Sequence, residues 1–174
     1  IAPIYLKIKD KLDEIIEDGS TTSIRNGILL TRLLIQSSLL DSDECFHPEL
    51  KRYHDKLKEI ALDQRIDKIL FLLEEESPKV YYEIDLLDDE KAQDLLKIRI
   101  QGLIDKIQKS DYYPHKKNIA IARSILKIGN LYLSNDNWER LNAIIIQENE
   151  RVEQEKTAKY EAIIDDFIVN GTIE

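Results

Sequence analysis

The amino-acid sequence predicts an all-α fold, either an antiparallel helical bundle or a short helical-repeat stack of six to seven helices. Apolar residues recur at intervals of three and four along most of the chain, which is the spacing of one helix face. Only five Gly and four Pro interrupt the 174 residues. Hydrophobic residues make up 43% and charged residues 34%, which suits a packed core with a solvated exterior. We therefore predict a single helical domain over residues 1–174.

The first part of the chain contains two predicted helices and the start of a third. The first ends at Gly19, and residues 20–23 offer Ser and Thr caps for the second, which we expect to end near Leu40. Residues 41–47 are polar without periodicity and predict a loop, after which Pro48 suits the first position of a helix. The apolar positions that define the first two helices are Ile4, Ile8, Leu12, Ile15, Ile16, Ile24, Ile28, Leu29, Leu33 and Leu34.

The middle of the chain predicts a long helix, a short connection and a further helix. The long helix can bend near Asp63 and ends at Pro78. Residues 80–87 favour a loop or a short helix, because a lone strand would have no pairing partner. Asp88 and Asp89 can cap the next helix, in which the interior Gly102 costs roughly 1 kcal/mol relative to Ala. We expect close helix packing to explain that glycine.

The last part of the chain predicts two more helices, separated by a polar turn at residues 134–137. The final helix is expected to begin near Trp138 and to become polar over residues 147–159, where Val152 is the only large apolar residue. We expect this polar part to lie in solvent or to meet another chain. An apolar side then returns before a stop at Gly171. The residues of that apolar side are Ile163, Ile164, Phe167 and Ile168.

Charge and composition exclude several classes of function. A net charge of −9 opposes general binding to nucleic acid, which needs Lys and Arg to displace counterions. No window approaches the roughly 18 apolar residues that span a bilayer, so no membrane partner is expected. Cys45 is the only cysteine, which favours an intracellular protein, cytoplasmic or nuclear. The sequence contains no Met, even at its first position, and we expect a fragment of a longer protein.

The densest set of potential metal ligands and nucleophiles is Cys45, His47 and His54. Zinc needs several converging N, S or carboxylate ligands, and one cysteine with no second ligand pair supplies too few. A nearby histidine could instead activate Cys45 as a nucleophile, although a lone cysteine is commonly a small apolar residue. The alternative is a solvated loop before a helix. The sequence has no Gly-rich phosphate-binding loop, and we predict no catalytic residue, metal or cofactor.

Two tyrosine pairs lie in the predicted connections. Tyr81 and Tyr82 form one pair, and Tyr112 and Tyr113 form the other. A tyrosine can bury its ring while its hydroxyl stays in water, so these side chains are candidate anchors for a partner. They could equally close the ends of the domain's own core.

Three residues of the predicted final helix are further candidates for partner binding. Trp138 is either a core anchor of the last hairpin or an interaction hot spot. The polar stretch that follows is a solvated helix face unless Val152 and Tyr160 belong to a seam with another helix.

Residues 125–142, ILKIGNLYLSNDNWERLN, resemble a helical hairpin from scaffold subunits of the PCI and tetratricopeptide-repeat type. The pair Trp138 and Leu141 carries the tetratricopeptide likeness, although Asn142 occupies the position of a small residue or Gly. The winged-helix module that follows the repeats in PCI subunits is not evident here. The resemblance implies a helical-repeat scaffold.

The resulting hypothesis is a protein-interaction or scaffold domain within a larger intracellular assembly. Helical surfaces recognise partners without a conspicuous chemical motif, so the expected partner is another protein, and a homo-oligomer is possible. The alternative is a ligand-binding or catalytic helical domain whose site is dispersed in sequence.

Overall fold

The computed structural model describes residues 2–37, 46–109, 113–129 and 131–171. Within these ranges the chain forms α helices and no β strand, which confirms the predicted all-α class. The seven helices of the described residues are α1 (Ala2–Asp18), α2 (Thr21–Gln36), α3 (Phe46–Glu74), α4 (Lys79–Asp85), α5 (Glu90–Gln108), α6 (His115–Lys127) and α7 (Asn135–Asn170).

The chain divides into two compact units. Unit 1 is Ile1–Asp67 and unit 2 is Lys68–Glu174, so the boundary lies within α3. The expectation of a single domain over the whole chain stays a prediction.

Unit 1 packs α1, α2 and the first part of α3 around one apolar core. Gly27 of α2 lies close to both α1 and α3, because a Cβ atom placed there would lie 3.0 Å from both Ile15 Cγ2 and Leu57 Cδ1. Such distances are shorter than ordinary carbon–carbon contacts, so a larger residue at this position would require Ile15 and Leu57 to shift. The buried core residues of unit 1 are Leu12, Ile15, Ile24, Phe46, Leu50 and Leu57.

Local signals set the helix ends in unit 1. Gly19 adopts a φ of 64° directly after α1, and Ser20 caps α2 by accepting a hydrogen bond from the Ser23 backbone N–H at 3.2 Å. Both features were predicted. Helix α2 ends at Gln36, earlier than the expected end near Leu40.

Helix α3 begins at Phe46, two residues before the predicted start at Pro48. The first four N–H groups of a helix have no acceptor within it, so Pro48 fits the first turn without losing a hydrogen bond. The helix is continuous past Asp63 to Glu74. The predicted loop at residues 41–47 lies outside the described residues, except for Phe46 and His47, which are helical.

Unit 2 contains α4 to α7, and α6 and α7 pack against each other most extensively. The expected short element at residues 80–87 is helical from Lys79 to Asp85. Asp89 caps α5, as predicted, by accepting a hydrogen bond from the Lys91 N–H at 2.8 Å. Ser134 caps α7 in the same way, so this helix begins at Asn135, before the predicted start near Trp138.

The explanation predicted for Gly102 is wrong. A Cβ atom at this position of α5 would have no neighbour within 4 Å, so close helix packing does not require the glycine. Nothing in the structure explains it.

Candidate interaction surface

Helix α7 has buried side chains in its first half and exposed side chains in its second half. Residues 135–152, here the proximal segment, include the buried Leu141, Ile144 and Glu148. Residues 153–170, the distal segment, have exposed side chains throughout. At 1.5 Å per residue the distal segment is about 27 Å long. Its side chains stay exposed among the residues that the structure describes, although His115 of α6 contacts Glu155 near its start.

The distal segment carries an apolar face. Its large apolar side chains, between 43% and 73% exposed, recur at intervals of three and four residues. At 3.6 residues per turn they form one stripe about 140° wide, whereas Val169 projects from the opposite side. We call this set the distal stripe: Tyr160, Ile163, Ile164, Phe167 and Ile168.

Charged residues of the distal segment are arranged around the stripe. Lys156 and Glu161 border it on opposite sides, while Asp165 and Asp166 lie on the far side of the helix. The Nζ of Lys156 lies 2.9 Å from Glu153 Oε1, and this contact raises the pKa of Lys156. The helix ends where Gly171 takes a φ of 67°. The stripe is therefore apolar at its centre and carries one charge of each sign along its edges.

A buried carboxylate lies near the end of the proximal segment. Glu148 is only 2% exposed, and its two oxygens contact His115 Nδ1 and, at 3.4 Å, Arg151 Nη1. The other nitrogen of His115 lies 3.3 Å from Glu155 Oε1. Both ring nitrogens therefore face carboxylates. This cluster is a polar contact between α6 and α7.

Sequence reasoning missed Glu148. A signal was present, because Glu148 follows Leu141 and Ile144 at the spacing of one helix face and so occupies a core position. Identification of its partner His115 required the packing of α6 on α7.

Unit 2 also contains an open groove beside the α6–α7 connection. Its volume is about 610 Å³, and a neighbouring groove of about 340 Å³ shares Leu131 and Tyr132 with it. Leu131 and Ile98 are exposed on its walls, whereas Tyr132 is buried, and burial raises the pKa of the Tyr132 hydroxyl. The amide of Asn137 in the groove donates to Gln101 Oε1. The groove is mainly apolar, and two of its polar side chains already bind each other.

Three of the predicted partner-binding residues lie on the surface of unit 2, away from the distal segment in sequence. Tyr81 and Tyr82 are exposed on α4, and Tyr81 lines the smaller groove. Trp138 is 49% exposed, so it is not a buried core anchor.

The other four predicted partner-binding residues lie in different parts of the chain. Tyr112 lies outside the described residues. The half-buried ring of Tyr113 lies 5.1 Å from Lys117 Nζ, in a cation–π contact. Val152 is half-buried at the end of the proximal segment, and Tyr160 belongs to the distal stripe. The structure thus places Tyr160 among exposed apolar neighbours that the sequence analysis had not proposed as a site.

His54 of α3 contacts the hydroxyl of a buried threonine in α2. Its Nδ1 lies 2.7 Å from the hydroxyl of the buried Thr31, which is itself 2.9 Å from the Gly27 carbonyl oxygen. When the hydroxyl donates to that carbonyl, the imidazole must donate to the hydroxyl, so Nδ1 carries a proton. Burial, followed by Lys58, lowers the pKa of His54 and favours the neutral form.

The described residues contain no cluster of three or more His, Cys, Asp or Glu side chains that could hold a metal ion, and Cys45 lies outside them. None of the described helices is long and apolar enough to cross a membrane.

Comparison with known proteins gives no relative: no family model, curated protein or solved structure matches the chain. Residues 125–142, which resemble scaffold subunits, span the end of α6 and the start of α7. That resemblance stays a prediction.

Proposed function

We propose that this chain is a protein-interaction domain of a larger intracellular assembly, and that its partner binds the distal stripe of α7. The supporting observation is a row of five large apolar side chains, exposed together on one face of a helix. Contiguous apolar surface on a folded protein commonly marks a binding site, because its burial removes the surface from water. An amphipathic helix that presents such a row is a frequent means of protein recognition.

The distal segment is suited to binding because it is already helical. The packed proximal segment supplies the costly first turns, and each further residue then adds one hydrogen bond at lower cost. A partner therefore does not have to order this helix from a flexible chain, which lowers the entropic cost of association.

The charges of the distal segment favour a protein over a membrane or nucleic acid. The segment carries five acidic and two basic side chains. Helices that bind lipid surfaces are usually rich in Lys and Arg on their polar face, and phosphate backbones require the same residues. The acidic far side of this helix would be repelled by both.

The test uses the full chain as bait, with Phe167→Asp and the matched control Val169→Asp. Both substitutions place a charge on an exposed apolar position, but only Phe167 lies in the stripe. We expect partner capture from cell extract, including capture of a labelled second copy, to be lost with Phe167→Asp and kept with Val169→Asp. Circular dichroism establishes that both variants are folded. Equal capture by all three proteins would overturn the proposal.

The groove beside Leu131 supports the alternative of a ligand-binding domain, because about 610 Å³ is within the range of small-molecule sites. Saturable thermal stabilisation by a compound, lost in Leu131→Asp and kept in Phe167→Asp, would favour this alternative.

A further inference from the structure

We infer that the partner of the distal stripe is a second copy of this chain, and that two distal segments pair in parallel as a short two-stranded coiled coil. This inference rests on the proposed function and identifies its partner.

The first argument is the register of the distal segment. Coiled coils place one residue of every three or four, at positions a and d of a seven-residue repeat, in the seam between helices. Thr157 and Ile164 take position a, and Tyr160 and Phe167 take position d. The seam thus runs through the centre of the distal stripe for about two repeats. Glu153 takes the preceding d position and ends the seam, because two carboxylates would face each other there.

The second argument is the complementarity of the residues at the edges of the seam. In a parallel pair, a residue at position g faces the residue five positions later, at position e, in the other helix. Lys156 takes position g and Glu161 takes the matching position e. Each Lys156 would therefore face Glu161 of the second copy, and symmetry gives this pair twice.

The next pair of edge positions is complementary in the same way. Ile163 takes position g and Ile168 the matching position e, so two apolar side chains meet beside the seam. An antiparallel pair would instead oppose g with g and e with e. It would place Glu161 opposite Ile168 and leave Lys156 without an acidic neighbour at the edge. The edge residues therefore favour the parallel arrangement.

The area available indicates a weak, reversible dimer. Because Tyr160 is 65% and Phe167 46% exposed, the four rings of a pair offer on the order of 400 Å² for burial. Adding the isoleucines brings the seam near the lower limit of specific interfaces, about 1,200 Å². We expect a dissociation constant of about 10 to 100 µM.

Sedimentation of the full chain over about 1 to 300 µM tests the inference, with charge reversals at the edge pair. We expect a monomer–dimer equilibrium that Lys156→Glu and Glu161→Lys each weaken by about tenfold, because each converts two attractions into two repulsions. The double variant restores the attractions and should associate as the unmodified chain does. Lys159→Glu is the matched control, since it makes the same charge change at position c, outside the seam.

Disulfide formation tests the orientation. In a Cys45→Ser background, Thr157→Cys places two thiols at the same seam level of a parallel pair, within bonding distance. We expect oxidation to give a covalent dimer, whereas Lys159→Cys should give little. A dimer that Thr157→Cys fails to cross-link, or that the double charge reversal fails to restore, would overturn the parallel arrangement.

The outcomes separate this inference from the proposed function. A chain that stays monomeric, but whose capture of other proteins is lost with Phe167→Asp, would overturn the inference and retain the proposed function. A monomeric chain whose capture is unchanged by Phe167→Asp would overturn both.

Discussion

The two segments of α7 belong to one helix and have apolar residues at the same spacing, but they differ in what covers those residues. The proximal segment buries Leu141 and Ile144, with Glu148 held among polar partners. The distal segment exposes the apolar side chains of the distal stripe. Helical periodicity therefore predicts which face of a helix makes contacts. It does not predict whether those contacts are with the same chain or with another molecule. Mutations in the proximal segment should therefore lower the free energy of unfolding, and mutations in the distal segment should weaken association.

The largest expected effect contrasts Leu141→Ala with Phe167→Ala. Leu141 is fully buried, so its truncation should lower the free energy of unfolding by about 2 to 5 kcal/mol. Phe167 is exposed, and its truncation should change stability by no more than about 0.5 kcal/mol while it weakens association. Urea unfolding at low protein concentration measures both. Similar losses of stability would remove the distinction between the segments.

The next contrast concerns carboxylates on the same helix. His115→Ala removes a partner of the buried Glu148 and should destabilise the chain by about 1 to 3 kcal/mol. Lys156→Ala removes the partner of the exposed Glu153 and should leave the stability nearly unchanged. Thermal unfolding of the two variants checks this contrast, which fails if the two costs are equal.

Two glycines repeat the comparison between packed and open positions. Gly27→Ala forces a methyl group against Ile15 and Leu57 and should cost about 1 to 3 kcal/mol. Gly102→Ala meets nothing and gains helix propensity, so it should stabilise by about 0.5 to 1 kcal/mol. Denaturant midpoints give both values. A destabilising Gly102→Ala would contradict the absence of neighbours around this position.

The smallest expected effect is a pH dependence from His54. Its pKa is lowered in the folded chain, so below about pH 6.5 the unfolded chain binds more protons and stability falls as pH falls. His54→Asn keeps a donor toward Thr31 but does not titrate, and it should flatten this part of the stability curve. Lys159→Glu, in the distal segment, should leave it unchanged. An unaltered slope in His54→Asn would assign the effect to other groups.

Sequence could predict the parts of the fold that depend on neighbours along the chain. Gly19 and the caps Ser20 and Asp89 were identified because a positive φ or a side-chain acceptor acts within a few residues. Gly102 was misread because the space around a glycine depends on helices distant in sequence.

The candidate site was only partly predictable for the same reason. The apolar residues from Ile163 to Ile168 and the possible seam at Tyr160 were visible in the pattern. Whether another helix of the chain covers them depends on where α7 leaves the packed part of unit 2, which Glu148 and its partners mark. No local signal reports that position.

Hydrogen exchange along α7 at two protein concentrations tests the central claim most directly. At about 1 µM, where the chain should be monomeric, we expect the distal segment to exchange much faster than the proximal segment, because few contacts hold it. At about 300 µM, pairing should slow exchange over residues 157–170 and leave the proximal segment unchanged. Equal protection of both segments at the lower concentration would show that the distal segment packs within its own chain. Unchanged exchange of the distal segment at the higher concentration would contradict its pairing with a second copy.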